Sequence, residues 1–207
     1  MTTSYLVPAC PAEAEVEVKR SRFLARVVRV EEEHQARAVV EEARRTHWDA
    51  RHHCSAFVLG PTRAIERSSD DGEPAGTAGA PMLEVLRGAE VSDVVVVVTR
   101  WFGGTLLGAG GLVRAYGDAV RAGLEAAGTI RRELLHEFSV VLPHAEAGRV
   151  ESELRTRGVR VLDTAYADQV TLRLGVTDPE PLEAWLAELT GGRTAPNAVG
   201  TSWHDVG

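Results

Sequence analysis

Residues 93–128 read DVVVVVTRWFGGTLLGAGGLVRAYGDAVRAGLEAAG. The unbroken valines Val94 to Val98 are too β-branched for a helix and too apolar for a strand with one wet face. They are expected to form a strand covered on both sides. The tract Gly103 to Gly111 is too rich in glycine to be an element and reads as a connection. Beyond it Leu112, Tyr116, Ala119, Val120, Gly123, Leu124 and Ala127 share one side of a helix that Gly128 ends. A buried strand feeding an amphipathic helix through a glycine turn implies a mixed α and β core.

Upstream, the first ten residues, broken by Pro8 and Pro11, read as a loose lead-in. From Glu15 the alternation of Val16 and Val18 with Glu, then Phe23, Ala25 and Val27, predicts strand. Glu31 to Trp48 carries Ala36, Val39, Val40 and Ala43 at helical spacing behind an acidic first turn. Cys54 to Leu59 is expected to be a strand, Arg67 to Ala80 a loop, and Pro81 to Gly88 a short helix. Downstream the pattern reads strand (Leu134 to Leu142), helix (Ala145 to Arg157), two strands (Val159 to Tyr166, Asp168 to Val176), helix (Pro179 to Leu189) and strand (Thr194 to Trp203). That β-α-β-β-α-β order is the split βαβ, ferredoxin-like arrangement. The boundary is expected near Gly128 to Arg132, giving domains 1–130 and 131–207.

Composition narrows the function. At 207 residues, 44% hydrophobic and 26% charged, the chain can bury a core. Aromatics at 5% argue against a base-stacking platform as the main feature, and a net charge of −7 against a bulk grip on phosphate backbones. Neither half is basic: 15 basic against 18 acidic residues through Ile130 gives −3, and 8 against 12 beyond it gives −4. Two cysteines, Cys10 and Cys54, suit a reducing compartment, and no secretory signal or membrane-length apolar run is visible. The expectation is a soluble cytoplasmic protein.

Several constellations invite chemistry. Gly103, Gly104, Gly108, Gly110 and Gly111 have two readings: close backbone packing with positive φ, or an anion held by backbone N–H groups and the following helix N-terminus. No Lys-Ser/Thr follows as in a Walker loop, and Val113 stands at the third position of a dinucleotide fingerprint. Arg100-Trp101-Phe102 with Arg114 offers an Arg-aromatic contact surface, Arg100 emerging at the edge of the sheet to meet an anion. The competing reading ties Arg100 into a core ion pair with Asp71 or Glu73. Asp70, Asp71 and Glu73 crowd carboxylates into a loop without the spacing of a calcium site, so no metal is expected. His52-His53-Cys54 lacks the further ligands of a zinc site, and Cys54 reads as a buried structural thiol rather than a nucleophile.

Four stretches together, RSRFLARV (20–27), DARHHCSAFVLG (49–60), SDDGEPAGTAGAPML (69–83) and VVVTRWFGGTLLGAGGLVRAY (96–116), closely resemble the YigZ/IMPACT family. The resemblance covers about residues 19 to 127 and implies an α+β first domain like the second domain of ribosomal protein S5. It implies a second, ferredoxin-like domain similar to the last domain of translocation elongation factors. The eukaryotic branch regulates translation through a partner of an initiation-factor kinase. The resemblance therefore implies a non-enzymatic, translation-associated protein that binds RNA, the ribosome or a translation factor. No catalytic residue, cofactor or membrane partner is expected. The contacts would come from Arg22, Asp70, Asp71, Glu73, Arg100, Trp101, Phe102, Arg114 and the five glycines. The alternative is an enzyme binding a phosphorylated small molecule or nucleotide through Gly103 to Gly111.

Overall fold

The valine run forms the middle strand of a five-stranded antiparallel sheet in the computed structural model, which describes residues 2–206. The chain divides into two compact units, which meet in sequence at Arg131 and Arg132. In the first unit the strands are β1 (Ser4–Pro8), β2 (Ala12–Val18), β3 (Ser21–Arg29), β4 (His52–Leu59), β5 (Ile65–Ser69) and β6 (Val94–Trp101). The helices are α1 (Glu33–Thr46), α2 (Gly79–Gly88) and α3 (Ala109–Ala127). The sheet order is β2-β3-β6-β4-β5.

Side-chain alternation along β6 explains its composition. Val94, Val96 and Val98 pack with Phe23, Ala25, Cys54, Ala56 and the helices α2 and α3. Val95 and Val97 pack on the other face with Phe57, Leu59 and the Ala36, Val39 and Ala43 stripe of α1. A central strand with helices on both faces has no wet side, so its first five residues, Val94 to Val98, are all valine. β3, by contrast, buries Ser21, Phe23, Ala25 and Val27 and turns Arg22 and Arg26 outward.

The structure departs from the expectations at several places, among them the strand expected from Leu134, which begins at Thr129. The lead-in contains β1, whose Val7 is fully buried and whose Leu6 carbonyl accepts from the Ser92 amide at 2.9 Å. β5 occupies the start of the stretch read as loop; as an edge strand exposed along most of its length, it carries no apolar signal. The helix expected from Pro81 begins at Gly79. β6 lies at the centre of its sheet, so Arg100 does not emerge at an edge.

β7 (Thr129–Leu142) carries the chain from the first unit, which includes its residues 129–131, into the second, which continues through α4 (His144–Thr156), β8 (Arg160–Tyr166), β9 (Val170–Val176), α5 (Leu182–Thr190) and β10 (Asn197–Val206). β9 pairs antiparallel with both β7 and β8, and β10 pairs with β7. Val150, Leu154, Leu182 and Leu186 from the helices close over Val140, Leu142, Val170, Leu172 and Leu174. Ser202 on β10 and Arg173 on β9 both donate to Glu137 on β7. Those donors outweigh burial and hold the Glu137 carboxyl at about 2.

One glycine of α3 reports the closeness of the helix to the sheet. A Cβ on Gly123 would stand 2.9 Å from a Val27 methyl and 3.2 Å from the Ala25 Cβ. Gly123→Leu is therefore expected to lower the urea midpoint by the equivalent of about 1–3 kcal/mol, despite leucine's better helix propensity. An unchanged midpoint would show that α3 does not press on β3 there.

Candidate functional site

The register of the first sheet gathers the singled-out residues at one end. Arg100 lies opposite Phe23 on one side and His52 on the other, and Trp101 lies opposite Arg22. The loop of residues 70–78 closes over this end, and its three carboxylates point in three directions. Asp70 accepts from the backbone amides of Gly76 (2.8 Å), Ala78 (3.0 Å) and Gly79 (2.8 Å). It thereby caps the start of α2, where Ala78 has no side chain able to do so. Burial opposes its charge, but the three donors prevail and hold its carboxyl below the usual range. Asp71 accepts from Arg44 and from the His53 amide, each at 2.6 Å. Glu73 turns inward. Among the described residues no group of three or more His, Cys, Asp or Glu side chains is placed to hold a metal ion.

Glu73 is the hub of a buried polar chain. Its Oε1 accepts from Arg100 Nη1 at 2.6 Å and from the Tyr116 hydroxyl at 2.7 Å. The side chains of Arg100 and Glu73 are only 7% and 3% exposed. Of the two partners open to Arg100, the structure uses Glu73; Asp71 goes to Arg44 instead. The guanidinium also lies over the Phe23 ring at 5.4 Å and the Phe102 ring at 5.8 Å, while its Nε is buried without a hydrogen-bond acceptor. Phe23 in turn meets Tyr116 edge-on at 5.2 Å. The Cys54 thiol stands 3.2 Å from the Tyr116 hydroxyl and 3.0 Å from the Asp70 carbonyl, with one hydrogen to give to either. Desolvation pushes that thiol up to about 12 and raises the Tyr116 hydroxyl as well. Burial also lowers His53, whose Nδ1 lies 3.1 Å from Thr99 Oγ1, and His52 directs its Nδ1 to the Asp71 carbonyl at 2.9 Å. Cys54 is thus a protonated, enclosed group rather than a thiolate nucleophile.

The outward residues form a different surface around Trp101. Its Nε1 donates to Asp49 at 2.9 Å, His47 meets its ring edge-on at 5.2 Å, and the Arg22 guanidinium lies over the ring at 4.8 Å. Arg22 is also paired with Glu15. Between His47 and Asp49, Trp48 is 82% exposed; Phe102 and Leu106 are 48% and 84% exposed. Lys19 and Arg20 make the two-residue β2–β3 turn, both with positive φ (47° and 67°), a conformation usually left to Asn-Gly. Arg114, on the first turns of α3, has no ion-pair partner among the described residues.

The glycines beside this surface follow mainly the packing reading. A Cβ on Gly103 would lie 2.0 Å from the Arg20 backbone, and its amide donates to Ser21 Oγ at 3.1 Å. Gly104 and Gly108 have φ of 84° and 73°. A Cβ on Gly111 would touch Leu107 at 3.0 Å, whereas Gly110 faces open space. The chief site residue that sequence reasoning missed is Tyr116, placed only on an apolar helix face. A tyrosine buried there must find a partner for its hydroxyl, and that requirement is the signal.

The comparisons agree with this layout. The family model described as the Impact N-terminal domain matches residues 19–124, and one described as a domain of unknown function (DUF1949) matches residues 140–193. The IMPACT family member YvyE of Bacillus subtilis (strain 168) is 38% identical, covering 94% of this chain and 90% of that protein. The IMPACT family member YigZ of Escherichia coli (strain K12) is also 38% identical, covering 91% and 95%. A solved structure described as "Crystal structure of an hypothetical protein" is 36% identical, covers 96% of this chain and 98% of that one, and superposes with a TM-score of 0.65.

Two outcomes test the buried network. Arg100→Ala leaves the Glu73 charge uncompensated and is expected to cost about 3–5 kcal/mol in urea unfolding, with Arg100→Met/Glu73→Leu recovering most of the loss. Equal stability of Arg100→Ala and the parent would remove the pair from this role. For the thiols, a disulfide reagent at pH 8 is expected to titrate exposed Cys10 and spare Cys54 until the protein unfolds. Because the folded Cys54 stays protonated to about 12 while an unfolded thiol ionises near about 8.5, its contribution is complete below the lower value and is lost as pH rises towards the upper. Cys54→Ser is expected to flatten that alkaline decline, measured as urea midpoints from pH 8 to pH 11.

Proposed function

The chain belongs to the IMPACT family, and on that footing we propose that it is a non-catalytic, translation-associated protein that engages the ribosome or a translation factor through the Trp101 end of its first sheet. The observation that carries this reading is the cluster of outward cations and apolar side chains on a rigid base. Arg22 covers Trp101, Phe102, Leu106 and Trp48 stand exposed, and Lys19 and Arg20 project from the adjoining turn. Exposed aromatic and arginine side chains at one place are typical anchors of macromolecular interfaces. The Gly103–Gly111 tract leads away from this surface to α3, where Arg114 lies in the groove between α2 and α3 instead. Arg100, Glu73, Asp70 and Asp71 act from beneath by fixing the loops that carry the Trp101 surface.

The second unit supports the reading through its architecture. Its β-α-β-β-α-β order, with β9 between β7 and β8 and β10 paired to β7, is read as ferredoxin-like, β1 being a further strand paired to β7, and the first unit is taken to be like the second domain of ribosomal protein S5. With a net charge of −7, the contact rests on a few local cations and apolar anchors rather than on bulk attraction to RNA.

Co-sedimentation of the full chain with ribosomes at increasing salt tests this. Arg22→Ala/Phe102→Ser is expected to weaken pelleting at least tenfold, with a stability change within about 1 kcal/mol, as for exposed positions generally. A shallow salt dependence, equivalent to about two or three phosphate contacts, is expected. The absence of saturable pelleting would overturn the ribosome as the partner, and equal pelleting of the variant would overturn the Trp101 end as the contact.

A further inference from the structure

A polar pocket of about 420 Å³ opens at the opposite end of the first sheet, where β4 ends and β6 begins. Its volume falls within the range of about 300–1,000 Å³ common for small-molecule sites. Arg63 and Arg131 line it from two segments, with Glu90 from a third and the hydroxyls of Ser4 and Thr62 between them. Arg63 gives one donor to the Arg87 carbonyl at 3.3 Å, and Arg131 gives one to Ser4 Oγ at 3.4 Å. Neither has a carboxylate partner among the described residues, and the Glu90 carboxylate has no ion-pair partner among them. Each guanidinium carries five N–H donors, so most remain available.

The backbone supplies an independent observation. Arg63 and Glu90 have φ of 54° and 55°, a region where glycine would be unstrained. Neighbouring Asp93 is held at φ 48°, and its side chain has a clear task there: it accepts from the Tyr5 hydroxyl at 2.5 Å and from the Gly60 amide at 2.8 Å. Arg63 and Glu90 bear the same backbone strain, and both line the pocket. Left-handed non-glycine residues gathered around one cavity point to side chains retained for a purpose.

We propose that this pocket binds the phosphate monoester of a small hydroxylated molecule. Arg63 and Arg131 take the phosphate, whose charge of nearly two matches two guanidiniums better than a single carboxylate would. Glu90, an acceptor only, takes a hydrogen bond from a ligand hydroxyl. The site is separate from the Trp101 surface and does not depend on the translation reading.

Titration of the full chain with ribose 5-phosphate, followed by ¹H–¹⁵N NMR, tests the assignment, with ribose and sodium sulfate at matched ionic strength as controls. Saturable shifts are expected at residues 61–63 and 90–92 with ribose 5-phosphate and with neither control. Arg63→Gly and Arg131→Ala are each expected to weaken the response at least tenfold. Glycine accepts the positive φ at position 63, so Arg63→Gly removes the guanidinium while leaving the turn unstrained, and its NMR spectrum checks that the fold is kept. A response absent in the parent, shared with sulfate, or undiminished in both variants overturns the proposal.

Discussion

The ion pair between Glu73 and Arg100 holds the candidate site in its shape. It joins the middle of a loop to the central strand, and Tyr116 adds α3 to the same carboxylate oxygen. A charge pair enclosed this fully gains little net stability over an apolar filling, because desolvation offsets most of the attraction. Its value lies in being intolerant of alternatives. If the loop slipped, Arg100 would lie buried without a counter-charge. The neighbouring contacts follow from that position: Asp70 is brought over the first turn of α2, and Asp71 to the end of α1 and the start of β4.

The residues of the site therefore fall into two populations. Glu73, Arg100, Tyr116 and Cys54 face inward, their donors and acceptors used within the fold. Arg22, Trp101, Phe102 and Leu106 face outward on the framework those residues secure. The alternation along β6 and into the following loop separates the populations: Arg100 points under the loop, and Trp101, one residue on, points to the side lined by Arg22 and His47.

Much of this was legible in the sequence because burial leaves a compositional mark. Val94 to Val98 announced a strand enclosed on both faces, and the helical stripes of α1, α3 and α5 stood out for the same reason. β1 and β5 were not legible. The former is five residues ending on Pro8, with Pro11 close behind, and the latter exposes most of its short length, so neither shows an apolar period. At the site, sequence gathered the right residues but could not orient them. Arg100 as an outward contact and Arg100 as a core partner of Glu73 have the same sequence, and only the position of β6 within the sheet decides between them. Asp70 as a cap for α2 was hidden because its amide partners lie six to nine residues further along the chain.

The strand order also constrains how the chain is made. β6 lies between β3 and β4, yet it follows both in sequence, so two hairpins exist before the strand that unites them. On a translating ribosome roughly 35 residues separate the end of β4 from the start of β6, a wait of about 2–7 s at ordinary elongation rates. During that interval the inner edges of β3 and β4 lack their partner, and unpaired edges of this kind invite association with other chains. The closing step then joins residues about 65 to 79 positions apart in the β3–β6 ladder, a non-local closure of the sort that slows folding. The arrangement that gives the mature sheet its dry centre makes its nascent form dependent on prompt completion or on shelter.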